Sequence, residues 1–152
     1  MSQSSAWRAG ISAVKKSSDN IRQKFQEGFN NRCLIAHFDG KLVTEYTDGR
    51  KLTNNRCAVL ISSPSIDAPQ VLGVPVTLSA SGANQETEIV KLLKEWNVWE
   101  YLFGLSFDTT ADNTGKRIGA CTLIEKEAGL GLLWLACRHH VKYTLNEWPL
   151  LL

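Results

Sequence analysis

The order of its short apolar runs constrains this chain more than any other feature. Three runs, residues 33–39, 57–62 and 71–79, follow one another with only polar or proline-bearing segments between them. Two more, residues 102–107 and 132–137, are each preceded by a stretch with helical periodicity: Ile89, Leu92, Leu93 and Trp96 in the first, Ile118, Cys121 and Ile124 in the second. Runs of this length bounded by turn signals read as strands, and spacings of three and four read as helix. The order is then strand, strand, strand, helix, strand, helix, strand. That predicts one α/β domain with a mixed sheet and helices packed on it. Short connections make the first three strands antiparallel neighbours, and helical crossovers make the later ones parallel.

Local signals refine this reading. The first strand ends at Asp39, with Leu42 and Val43 either extending it or opening a hairpin; Asp48-Gly49 marks a turn. Pro75 cannot donate to a ladder, so the third strand carries a bulge or lies at an edge. Asn84 is the expected N-cap of a helix over residues 88–99. A second helix over 116–128 is stopped by Gly129. Residues 132–137 are almost wholly apolar, as in a strand buried on both faces. Upstream, Trp7, Ile11, Val14, Ile21, Phe25 and Phe29 fit one helical face. Ser17 to Asn20 are expected to interrupt it, giving two short helices. The expected organisation is a helical segment over 1–30, a core over 31–141 and a tail over 142–152.

Composition excludes several classes. The net charge is +2, too mild by itself to indicate a nucleic-acid-binding domain. Cys33, Cys57, Cys121 and Cys137 form no CxxC pair, which argues against a disulfide scaffold and for reduced intracellular thiols. No secretory leader is visible. No apolar run approaches the ~20 residues of a membrane helix, so no membrane partner is expected.

The chemistry concentrates in two aspartates. Phe38-Asp39-Gly40 and Phe107-Asp108-Thr109 each place an acid where a strand gives way to a turn. Open α/β sheets carry function at the carboxyl ends of strands. Two converging carboxylates suit a hard divalent cation, with substrate phosphates filling further positions. The competing reading is local: an Asp before Gly is commonly a turn residue, and an Asp before two threonines commonly an Asx-turn.

The segments HFDGK (37–41), FDTTADNTG (107–115), GACTLIEKE (119–127) and LLWLACRHH (132–140) resemble invertebrate mobile-element proteins related to the hAT transposases. In order and spacing the resemblance covers residues 34–141. It implies an RNase H-like fold, with Asp39 and Asp108 as the first and second acids of a DDE site. It also implies Mg²⁺ or Mn²⁺ as cofactor, weakly held or vestigial, DNA as partner, a nuclear location (cytoplasmic for a non-functional fragment), and homo-oligomers among full-length relatives. The family's third acid is a Glu after a large helical insertion. The chain is expected to end before that insertion, as a fragment that is not competent for strand cutting alone. The alternative is a non-enzymatic nucleic-acid-binding or protein-interaction module on the same fold.

Cys137 and His140 match a CxxH motif of the same family. As a pair they supply two ligands, where a closed structural zinc site needs four. The bland reading is a buried Cys137 with a hydrogen-bonded His140. Lys41, Lys116 and Arg117 stand close to the acids in sequence and are candidate phosphate contacts; solvated lysines are the plain alternative. Asp112 is expected to cap the following helix. Thr114-Gly115-Lys116 lacks the full phosphate-loop pattern. Gly115 and Gly119 are expected to let a helix approach the sheet. Trp96, Trp99 and Trp134 are expected to be core or half-buried anchors.

Overall fold

The computed structural model describes residues 3–28, 33–47 and 49–137. The chain divides into two compact units, residues 1–30 and 31–152.

The first unit carries one helix, α1 (Gln3–Gly28), without a break. The expected interruption at Ser17 to Asn20 is absent. Val14 and Ile21 are seven residues apart, so the apolar positions stay in phase across the polar stretch. Ser, Asp and Asn cost a helix interior only a few tenths of a kcal/mol each, about the spread of ordinary propensities. Phe29 lies outside the described residues.

The second unit is built on a sheet. Its elements are β1 (Leu34–Thr47), β2 (Arg50–Ser62), β3 (Gln70–Gly73), β4 (Val76–Thr77), α2 (Gly82–Glu95), β5 (Leu102–Phe107), α3 (Ala111–Thr114), α4 (Ala120–Ala128) and β6 (Leu133–Ala136). The strand order is β3-β2-β1-β5-β6, and β4 also pairs with β2. β1, β2 and β3 are antiparallel, while β1, β5 and β6 are parallel. The expected mixed sheet is therefore present.

β1 and β2 form a long hairpin, paired from Ile35↔Ser62 to Thr47↔Arg50. Gly49 takes a left-handed φ of 73° at its tip, a conformation glycine adopts without steric cost. β1 thus does not end at Asp39. The acid sits mid-strand, two residues beyond the last pairing with β5, His37↔Ser106. Pro75 splits the third run into β3 and β4, and its carbonyl accepts from Cys57 N at 3.0 Å.

Alternation along the strands separates two faces. Leu34, Ala36, Cys57, Val59, Ile61 and Leu105 are completely buried, with Phe38 and Phe107 nearly so. This face is covered by α2, which buries Ile89, Val90 and Leu93 and packs beside α4. Full burial of one large apolar side chain contributes roughly 1.5–3 kcal/mol, so this layer holds the domain together.

Ser81, not Asn84, caps α2; its hydroxyl accepts from Asn84 N. Asn84 is inside the helix and donates to Ser79 Oγ at 2.7 Å. α4 stops at Gly129, left-handed at φ 67°, as the sequence predicts. It starts at Ala120, however, so Ile118 lies outside it and is 75% exposed. Asp112 caps nothing: it lies within α3, whose N-cap is Thr110. Gly115 and Gly119 close the link between α3 and α4 on itself, where a Cβ on either would strike the other's backbone. They do not bring a helix onto the sheet. β6 is the edge strand, and every residue in it is exposed. Its apolar run is not evidence of two-sided burial.

Candidate functional site

The parallel register of β1 and β5 builds the site. Ala36 pairs with Leu105 and His37 with Ser106. Carried two residues further, it brings Asp39 level with Asp108. Between them, Phe38 and Phe107 stack on the covered side, with ring centroids 5.9 Å apart. That contact fixes the middle of β1 against the end of β5 and turns their neighbours to the opposite, open face. Both aspartates line one recess with His37, Leu60, Ser106 and Cys137. Cys137 is held there by its backbone N, which donates to Phe107 O at 2.8 Å.

Asp108 is half-buried and held locally. Its Oδ1 accepts from Thr110 Oγ1 at 3.0 Å and from Asn113 Nδ2. Asn113 Nδ2 also donates to the Asp108 carbonyl at 3.3 Å. Asn113 is 2% exposed, and its Oδ1 is buried without a partner among the described residues. Both side-chain bonds land on Oδ1, so Oδ2 is the oxygen free to meet a ligand. Asp39 is exposed on β1.

His37 is half-buried, and its Nε2 stands 2.6 Å from Ser62 Oγ across the hairpin. Burial lowers its pKa below the usual histidine value, so the ring is neutral near neutral pH. Cys57 is buried on the far face. Burial, reinforced by the charge of Asp39, pushes its thiol up to about 12. Burial also pushes Cys121 up to about 12, with Glu125 adding to it. Both behave as small apolar core residues rather than nucleophiles.

The recess offers hard oxygen donors from two neighbouring strands, which fit Mg²⁺ or Mn²⁺ better than a soft ion. Among the described residues, no three His, Cys, Asp or Glu side chains gather closely enough to hold a metal ion.

The structure also places the other candidates. Lys41 is exposed on β1, two residues beyond Asp39. Lys116 and Arg117 are exposed on the link between α3 and α4, not in a helical first turn as expected. Cys137 joins the recess, whereas His140 lies outside the described residues. Trp96 is buried, and Trp99 is half-buried beneath Lys94, whose Nζ is 5.3 Å from the ring centroid. Trp134 meets Phe107 edge-on at 5.6 Å.

Sequence reasoning missed His37, Ser106 and Asn113. A signal for the first two is present. Each acid ends a polar-Phe-Asp triplet, His37-Phe38-Asp39 and Ser106-Phe107-Asp108. Alternation puts the first and third residues of each on one face. Asn113 carries no such signal, because a turn conformation brings it back to Asp108.

No helix among the described residues is long and apolar enough to cross a membrane. No protein-family model matches the chain, and no curated protein matches it.

Proposed function

We propose that residues 31–141 are the part of an RNase H-like, hAT-transposase-like nuclease core that carries its first two acids. Asp39 and Asp108 act as ligands for Mg²⁺ or Mn²⁺, and DNA is the substrate whose phosphate oxygens complete the coordination. The observation that carries this reading is that both acids line one recess beside adjacent parallel strands. The strand order β3-β2-β1-β5-β6, antiparallel then parallel, supports the same fold. A metal held here would lower the pKa of a bound water and neutralise charge on a phosphate. The residues' own roles are simpler. Asp39 and Asp108 supply carboxylate oxygens, while Thr110 and Asn113 orient Asp108. The family resemblance puts the third acid further along the sequence, so strand cutting is not proposed for these two acids alone. In this reading the protein acts in the nucleus, and Lys41, Lys116 and Arg117 lie along the DNA backbone.

A second reading is favoured by the bonds that Asn113 and Thr110 make to Asp108. They tie the acid into its own turn, as in a binding module that keeps the fold without the chemistry. Melting in millimolar Mg²⁺ or Mn²⁺ separates the two readings. A metal present at about ten times its dissociation constant stabilises the fold by ~1.4 kcal/mol, a rise of a few degrees. Asp39→Asn and Asp108→Asn should each remove most of that rise. Equal shifts in the wild type and both variants would reject metal binding at this pair.

A further inference from the structure

The β1–β2 hairpin outruns the rest of the sheet. β5 accompanies β1 only as far as His37↔Ser106, and β4 accompanies β2 only as far as Asn55↔Thr77. From Val43↔Asn54 to Thr47↔Arg50 the two strands pair with each other alone among the described residues. A two-stranded ribbon buries little and is marginal by itself in water, so the core does not account for its length.

The ribbon is where the α/β unit changes the sign of its charge. Residues 41–56 carry four Lys and Arg against two Asp and Glu, whereas the rest of residues 31–152 carries eight against eleven. An anionic partner is thus drawn to the ribbon and repelled by the remainder of the unit.

Alternation divides these cations between two faces. Lys41, Glu45, Arg50 and Arg56 share the face of Asp39, while Leu42, Tyr46 and Lys51 share the other. On the first face Lys41 stands directly opposite Arg56, a like-charged pairing that weakens an antiparallel ladder. Arg56 is engaged within the fold: it lies 2.6 Å from Glu45 and donates to the Val74 carbonyl at 3.2 Å. Glu45 is thereby neutralised. Lys41 and Arg50 are exposed, make no ion pair among the described residues, and are left as the open cations of that face.

Lys41 is separated from the Thr47↔Arg50 pair by six steps along β1, about 20 Å at ~3.4 Å per residue. Phosphates of one DNA strand are spaced ~3.4 Å along the helix axis, so the two cations span about six base pairs. Single strands are held by stacking on aromatic side chains. The Asp39 face of the ribbon has none, since Tyr46, 75% exposed, is on the other face. The face therefore suits the backbone of a duplex.

We propose that the β1–β2 ribbon is a duplex-binding arm: its Asp39 face lies along the DNA backbone, with Lys41 on a phosphate beside the recess and Arg50 on another about six base pairs away. This rests on the reading of DNA as substrate and adds the path that the duplex takes out of the recess.

Titration of the full chain with a short fluorescent DNA duplex in EDTA tests it, because no metal then links the acids to phosphate. The dissociation constant should be roughly 1–100 µM at physiological salt. Lys41→Gln/Arg50→Gln should weaken binding on the order of tenfold at low salt. It should also reduce the slope of log K against log salt by about 1.8, two released counterions at ~0.9 each. Lys51→Gln and Tyr46→Ser, on the other face, should leave that slope unchanged. All these variants should melt as the wild type does. Losses through Lys51 or Tyr46 equal to those through Lys41 and Arg50 would overturn the proposal, as would tighter binding of a single strand than of the duplex. So would an equal or larger loss in Lys15→Gln/Lys16→Gln, which would move the contact to α1. The metal reading is separable. A chain whose melting temperature rises with Mn²⁺ but which binds no duplex overturns the arm alone. A chain that binds duplex through Lys41 and Arg50 but takes no metal overturns the metal site alone.

Discussion

The two faces of the central strands are made of the same residues in alternation, yet they do different work. On the covered face Leu34, Ala36, Phe38, Val59, Leu105 and Phe107 are buried to 3% exposure or less. On the open face Ile35, His37, Asp39, Leu60, Ser62, Ser106 and Asp108 all keep contact with solvent. The contrast teaches that one face is sufficient to fold the domain. The other is then free to carry two carboxylates, Asp39 within β1 and Asp108 just past β5, without the desolvation cost that buried acids incur.

The comparison is most easily broken by cutting into both faces. Leu105→Ala on the covered face should cost about 2–5 kcal/mol in urea denaturation, through lost burial and a cavity. Ser106→Ala, one residue along on the open face, should stay within about 0.5 kcal/mol. Comparable losses at the two positions would show that the open face is packed as tightly as the other.

Asn113→Ala comes next. It removes a buried donor shared by the Asp108 carboxylate and carbonyl, and should cost about 1–3 kcal/mol. Gly129→Ala should cost about 1 kcal/mol, since a Cβ disfavours the left-handed φ that ends α4.

The smallest effect is the pH dependence of His37. Its folded pKa lies below its unfolded value of 6.5. The neutral ring is the form the fold prefers, so its contribution is complete above pH 6.5. It is lost as the pH falls from there through the folded pKa, because the unfolded chain then binds the extra proton. His37→Gln should flatten that limb of the stability curve by a fraction of a kcal/mol, the scale expected of a half-buried group. An identical slope in the variant would assign the dependence elsewhere.

Much of this architecture is legible in the sequence because strands and helices announce themselves by period. The mixed sheet, the disruption at Pro75 and the stop at Gly129 follow from local chemistry alone. The misreadings have a common cause. The apolar run over 132–137 looks like a central strand, but burial depends on neighbours that no local pattern encodes. Asp39 looks like a strand end, and of the two courses open beyond it the structure takes the extension, with Leu42 and Val43 carrying the ladder against β2 to Thr47. Asp112 looks like a cap, but it lies inside α3, two residues past that helix's N-cap Thr110, and the following helix starts after Gly119. Of the candidate site, Asp108 sits in the strand-acid-turn setting read from the sequence, whereas Asp39 reaches the same recess from the middle of β1. His37 and Ser106 are legible only once the strand parity is applied, and Asn113 only in three dimensions.

The central claim is that Asp39 and Asp108 jointly hold a divalent cation on the open face. Line broadening by Mn²⁺ in a ¹H–¹⁵N correlation spectrum tests it most directly. Substoichiometric Mn²⁺ should first broaden the amides of His37, Phe38, Asp39, Gly40, Asp108 and Thr109, and Asp108→Asn should abolish that selectivity. Broadening spread evenly over surface carboxylates such as Asp67 and Glu100, or unchanged in Asp108→Asn, would contradict the account.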